Sequence, residues 1–289
     1  MNPSTRKTLI AYVLLFPGLG SIIAFMIVVL YLSVAQSLGY FNFSGESGFT
    51  FRYWEQLLSD GMILSSFWYS FRIAFISSLL AVAMAYPLAF WLKTPFKGNT
   101  FISAILKAPL MVHGLVAAFL YINFISYNGF LNISLIKIGF IDAPIRMQND
   151  SQGIGVIILQ VWKQMPFALL LLSDAVKAIG KDIIDAGRDL GAGPWNRFYR
   201  ITLPLTLRAL QAAMIIIFIG AAGDYSFQVV AGPTNINSLA QLMYRLQSQS
   251  IDGWNMSATV AVVLMLTALL GSLLLALLSG VIIKKGAKL

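Results

Sequence analysis

The chain of 289 residues has no cysteine and a single histidine, His113. Without cysteine there is no disulfide framework, haem attachment or thiolate metal site. With one histidine, no multi-histidine metal centre can be built within the chain. Charge is scarce too: Lys, Arg, Asp and Glu make up 11% of the residues, against about a quarter in a soluble domain. That excludes an ordinary soluble globule and a disordered chain. A nucleotide loop of the form G-x-x-x-x-G-K-[ST] is missing as well. The only Gly-Lys pair, Gly180-Lys181, is followed by Asp182. No nucleophile stands paired with a base, so the sequence offers no catalytic residue.

Apolar residues are plentiful and clustered. They form 58% of the chain, at a mean hydropathy of +0.79. A helix needs about 20 apolar residues to cross a bilayer, and six runs qualify: 9–33, 67–92, 101–127, 153–176, 205–230 and 255–283. The expected fold is all-α, a polytopic membrane protein and a single transmembrane domain over 1–289. Pro17, Pro87, Pro109 and Pro166 fall inside runs. They are tolerated because neighbouring helices can satisfy the freed carbonyls. The first run exceeds the 7–15 residues of a signal-peptide core and reads as a retained span.

The formal charge of +9 reads as membrane topology rather than as nucleic-acid affinity. With both termini in the cytoplasm, that side carries Arg6, Lys7, Lys93, Lys97, Lys177, Lys181, Arg188, Arg197, Arg200, Arg208, Lys284, Lys285 and Lys288. The outer side carries Arg52, Arg72, Lys137, Arg146 and Arg245. Thirteen against five sets the orientation by the positive-inside rule. The first outer loop adds interfacial aromatics: Tyr40, Phe41, Phe43, Phe49, Phe51, Tyr53 and Trp54.

The segment 177–204, KAIGKDIIDAGRDLGAGPWNRFYRITLP, is not a span. Ile179, Ile183, Ala186 and Leu190 follow one helical face, and Asp182, Asp185 and Asp189 another. Gly191-Ala192-Gly193-Pro194 then breaks the helix. Two short helices around a glycine turn cannot cross a bilayer. They can form a compact cytoplasmic knob, or a connector lying on anionic lipid.

This segment resembles the EAA loop of the permease subunits of type I ABC importers, whose pattern is E-A-A, three residues, G, nine residues, I-x-L-P. Asp185-Ala186-Gly187, Gly191, Ile201, Leu203 and Pro204 stand at that spacing. Asp185 replaces the glutamate and Gly187 the second alanine. Tyr53 to Asp60 with Phe67 to Ser70 looks like the approach to the family's second span. Trp162 with Pro166, ahead of Ala178-Ile179, looks like its fourth. The likeness therefore runs from about Phe51 to the C-terminus, and is most similar to the polyamine (spermidine/putrescine) branch.

The resemblance implies a coupling helix that docks on a separate ATPase dimer and passes its closure to the spans. Asp185, Ala186, Gly187, Gly191, Ile201, Leu203 and Pro204 would be the coupling residues. It also implies a second permease subunit, copy or paralogue, an extracytoplasmic solute-binding protein, and a bacterial or archaeal plasma membrane. ATP would be bound by the partner, leaving this chain no cofactor and no metal. The implied solute is a polyamine or a related small organic molecule. A stand-alone secondary transporter is the alternative, and it leaves the 185–204 pattern unexplained.

Ionisable groups inside spans are costly and mark pathways by default. Candidate pathway residues are Gln160, Trp162, Lys163, Asp224 and Tyr225. Two readings stand: a polar cavity that receives the solute, or a Lys163–Asp224 ion pair between helices. His113 is expected to be a hydrogen-bonded packing residue.

Overall fold

The computed structural model describes residues 3–42, 45, 47–249 and 253–286, with the side chains of 3–13 and 281–286 excepted. Phe43 and Lys288, and the side chains of Arg6, Lys7, Lys284 and Lys285, lie outside the described residues. Among the described residues every regular element is helical. In chain order these are α1 (Pro3–Ser37), α2 (Arg52–Ser59), α3 (Met62–Trp91), α4 (Asn99–Lys107), α5 (Gly114–Ile125), α6 (Phe130–Lys137) and α7 (Ile154–Lys177). There follow α8 (Lys181–Asp189), α9 (Pro194–Arg197), α10 (Leu203–Ala222), α11 (Ser226–Ala231), α12 (Leu239–Gln249) and α13 (Gly253–Gly286). Six stretches among the described residues are long and apolar enough to span: Leu14–Ser37, Met62–Trp91, Gly114–Lys137, Ile154–Lys177, Pro194–Ala222 and Gly253–Gly280.

The chain divides into two compact units, Met1–Ile63 with Met243–Val263, and Leu64–Leu242 with Leu264–Leu289. In the first, the side chains of α1 from Leu14 to Leu30 are almost all exposed, as expected of a helix solvated by lipid. The end of α1 is tied to the start of α13 by buried Asn255. Its Nδ2 donates to the carbonyls of Gln36 (2.8 Å) and Tyr40 (3.2 Å).

The second unit is built on α3, α7 and α10. Ala81, Ala85 and Ala89 of α3 meet Ala168, Leu169 and Leu172 of α7 and Ala213 and Ile217 of α10. Small residues let helix backbones approach closely where lipid supplies no hydrophobic drive. The Tyr86 and Thr206 hydroxyls, 2.6 Å apart and buried, add a polar link between α3 and α10. Toward the other end of α3, Tyr69 and Ile73 pack with Ala117 and Ala118 of α5, Val156 and Leu159 of α7, and Phe227 and Ala231 of α11.

Two expected spans differ from a single helix. The third, expected over 101–127, breaks after Lys107 into a 3₁₀ turn, Ala108–Met111. Val112 and His113 are extended, and α5 restarts at Gly114. Pro109 has no N–H to continue the α ladder. The fifth, expected over 205–230, starts earlier and ends sooner. Its helix runs unbroken from Pro194 through a π turn, Phe198–Thr202, into α10. It stops at Ala222, and 226–231 form the separate α11. Pro204 therefore lies inside a continuous helix rather than at its start.

Candidate functional site

The segment 177–204 folds as a knob on the ends of α3, α7 and α10. Three residues, 178–180, separate α7 from α8. The Lys93 ammonium, just past α3, donates to the Ile179 carbonyl at 3.3 Å and pins that turn. Asp182 in the first turn of α8 and Arg188 in its last oppose the helix dipole.

Gly191 closes α8 at φ +78°, the left-handed conformation that favours glycine at this place. Its N–H reaches the Arg188 carbonyl, and the Ala192 N–H reaches the Gly187 carbonyl, at 2.9 and 3.0 Å. Gly187 is buried. A Cβ there would stand 2.6 Å from Ile201 Cδ1. Its replacement of alanine is thus met by Ile201, fourteen residues on in the same loop pattern.

The outer face of α8 is not a core face. Asp185 and Ala186 are exposed. Ile183 is 49% exposed and Leu190 89% exposed, while Ile179 of the same stripe is buried. Behind α8, between α3, the loop and α10, lies an apolar groove of about 930 Å³ lined by Tyr86, Phe90, Lys93, Ile184, Trp195 and Phe198 among others.

The candidate pathway residues do not form one cluster. Gln160 is buried on α7, its Nε2 without a hydrogen-bond partner. Trp162 points elsewhere, into a mostly apolar cavity of about 850 Å³ shared with Tyr121, Phe124 and Asp150. Lys163 faces the break in the third span. Its ammonium donates to the carbonyls of Pro109 (2.7 Å), Leu110 (3.2 Å) and Val112. Asp224 caps α11, its Oδ2 accepting the Phe227 N–H at 2.9 Å.

Lys163 and Asp224 are thus each engaged with backbone and not with one another. Asp224 stands beyond the end of the fifth span. Burial pushes its carboxyl up, to about 6, against the lowering effect of the N–H groups of Phe227, Ser226 and Gln228. Tyr225, next in chain, is half-buried. His113 is exposed at the break, in extended backbone, rather than packed.

The sequence reading missed a polar clasp around α11. The Tyr69 hydroxyl donates to Gln228 Oε1 (2.8 Å), and Gln241 Nε2 to the Gln228 carbonyl (2.9 Å). The Leu239 N–H donates to Ser70 Oγ, and Asn149 Nδ2 to the Gly232 carbonyl. Asp150 caps α7 through the N–H groups of Ile154 and Gly155. Asp150, four residues before an apolar run, was a usable cap signal. The glutamine pairings have none.

The profile of a family described as "Binding-protein-dependent transport system inner membrane component" matches residues 9–285. The spermidine/putrescine transport system permease protein PotB of Escherichia coli (strain K12) is 29% identical over 220 residues, 75% of this chain and 78% of that protein. The sn-glycerol-3-phosphate transport system permease protein UgpA of Yersinia pestis bv. Antiqua (strain Antiqua) is 26% identical over 218 residues, 73% of each. In fold, the chain is similar to a chain of the bacterial alginate ABC transporter solved with an alginate pentasaccharide-bound periplasmic protein. The TM-score is 0.76 at 18% identity, over 97% of both chains.

Proposed function

Because this chain belongs to the binding-protein-dependent transport system inner membrane component family, and is therefore a multi-pass permease of ABC import rather than an enzyme, we propose that it couples solute passage to ATP hydrolysed on a separate subunit. The observation that carries this reading is the outer face of α8. An amphipathic nine-residue helix and the residue that ends it leave Ile183 and Leu190 exposed beside exposed Asp185 and Ala186. A chain does not leave a leucine 89% exposed at the end of a short helix outside the spans without cost, about 25 cal/mol per Å² of apolar surface. A docked ATPase surface removes that cost, and Asp185 can accept a charge-assisted hydrogen bond from a basic residue there.

Closure of the ATPase dimer would then carry α8, and with it α7 and α10, between two states of the spans. The loop lies in the cytoplasm, with both termini, by the excess of lysine and arginine. A second permease subunit completes the pathway, and an extracytoplasmic binding protein delivers the solute. Several of the similar proteins are polyamine permeases, which supports a polyamine as that solute. A glycerol-3-phosphate permease is also similar, so the choice is put to experiment below.

The test is co-purification of the tagged chain in mild detergent, with mass spectrometry of its companions. A partner carrying a phosphate-binding loop, lost on Gly191→Val with the chain still folded, is the expected result. A folded chain recovered alone, transporting in liposomes without ATP, would overturn the coupling reading in favour of a secondary transporter.

A further inference from the structure

The break in the third span takes backbone acceptors out of the α-helical ladder. In an unbroken helix, the carbonyls of Pro109, Leu110 and Val112 would accept from residues four further on. The extended backbone at Val112 and His113 removes that ladder and leaves the Pro109 carbonyl only a 3₁₀ bond from the Val112 N–H, at 3.2 Å. Within hydrocarbon each unsatisfied carbonyl is expensive, and a broken span persists only where something re-satisfies it. Here one side chain meets all three, the Lys163 ammonium from the middle of α7. An ammonium has three N–H donors and no acceptor. The match is three donors to three carbonyls, with no carboxylate in the cage. Lys163 is thus bound to the chain's own backbone rather than held free for solute.

Lys163 also stands on the element that leads to the coupling loop. From Lys163 to the end of α7 at Lys177 is fourteen residues, about 20 Å of continuous helix. Three residues later α8 begins. On the other side of the cage, α5 carries Ala117 and Ala118 against Phe227 and Ala231 of α11, the short helix capped by Asp224. The cage therefore adds a polar joint between α7 and the break, beside the apolar packing of Val156 and Leu159 of α7 on α5 and α11.

We propose that Lys163 is a positioning residue: its ammonium, locked into the carbonyl cage of Pro109, Leu110 and Val112, makes the broken third span move as one piece with α7, so that displacement of α8 reaches α5 and α11. This rests on the coupling reading of α8 given above. Solute does not touch the ammonium in this scheme. A tethered ammonium holds the cage at an effective concentration that a freely diffusing solute does not match.

The test uses the full complex in nanodiscs and in proteoliposomes. Lys163→Ala removes the ammonium and leaves space for a three-carbon amine. The variant is expected to hydrolyse ATP within about threefold of the wild-type rate while ATP-driven uptake falls about tenfold or more, the size of a lost coupling. Its thermal transition falls by several degrees. Millimolar n-propylammonium restores both the transition and a share of the uptake. Tetramethylammonium, a cation with no N–H donor, restores neither. Lys163→Arg recovers little, because a planar guanidinium fork does not present three converging donors.

Three outcomes would overturn the proposal. One is wild-type uptake in Lys163→Ala. A second is full recovery in Lys163→Met, which would make the role one of packing. The third is rescue by tetramethylammonium equal to that by n-propylammonium. Should the wild-type complex itself show no ATP-driven uptake, the coupling reading fails, while thermal rescue by n-propylammonium still decides whether the cage exists.

Discussion

Asp224 illustrates how a charged residue at the end of an apolar run is used. Its carboxylate ends one helix and starts another by accepting the Phe227 N–H. Burial nevertheless raises its pKa to about 6, above the unfolded value of about 3.9. A carboxyl raised on folding costs stability when ionised. That cost is absent below the unfolded pKa and grows as pH rises through the folded one. Asp224→Asn keeps an acceptor for the cap and cannot ionise. Thermal melts of the purified chain should therefore show wild type and Asp224→Asn alike near pH 4, with the variant gaining relative stability between pH 4 and pH 6. Parallel curves across that window would mean that the group is not desolvated as described. Near pH 4, where neither form pays for ionisation, Asp224→Ala, which loses the cap, should be less stable than either by about 1 kcal/mol.

Among the helices, α8 carries the exposed apolar stripe, and the third and fifth spans are broken. The exposed stripe of α8 can be altered with little effect on folding, since surface substitutions outside special features usually stay within about 0.5 kcal/mol. A double change of Ile183 and Leu190 to glutamate should leave the amount of chain in the membrane unchanged and lower uptake at least about tenfold, as loss of a docking contact would. Unchanged uptake would place the ATPase elsewhere.

Gly187→Ala makes the opposite prediction. The added Cβ crowds only Ile201 Cδ1, the end of a side chain that can rotate, while alanine favours the helix by up to about 1 kcal/mol. Uptake should be retained, and its loss would show that Ile201 cannot yield. The spacing from Asp185 to Pro204 was legible because a loop pattern is a linear code. That Gly187 and Ile201 touch was not, because contact across a turn depends on where the chain reverses.

At the scale of the whole molecule, uptake measurements decide the solute. The apolar cavity beside Trp162 contains one carboxylate, Asp150, and it is occupied in capping α7. That cavity therefore holds no carboxylate free of a cap. Cells carrying the complete system should accumulate labelled putrescine or spermidine, and lose that accumulation when the binding protein is deleted. Accumulation of sn-glycerol 3-phosphate instead would move the chain away from polyamine transport. Since the chain has no cysteine, single introduced cysteines can then report the topology directly, with the 177–204 loop expected to be labelled only from the cytoplasmic side.

Composition and apolar run length alone determined that the chain is helical and crosses a membrane, because hydrocarbon tolerates few alternatives to a helix. The linear spacing of the 177–204 segment likewise set it apart from the spans as the loop proposed for coupling. Only the tertiary structure decided what the polar residues inside those runs do. Lys163 and Asp224 look like an ion pair on charge alone, yet each is claimed by backbone groups. The acceptors around Lys163 are carbonyls, which every residue carries and no sequence pattern distinguishes. They became binding groups only where Pro109 and the extended residues after it took them out of a helix.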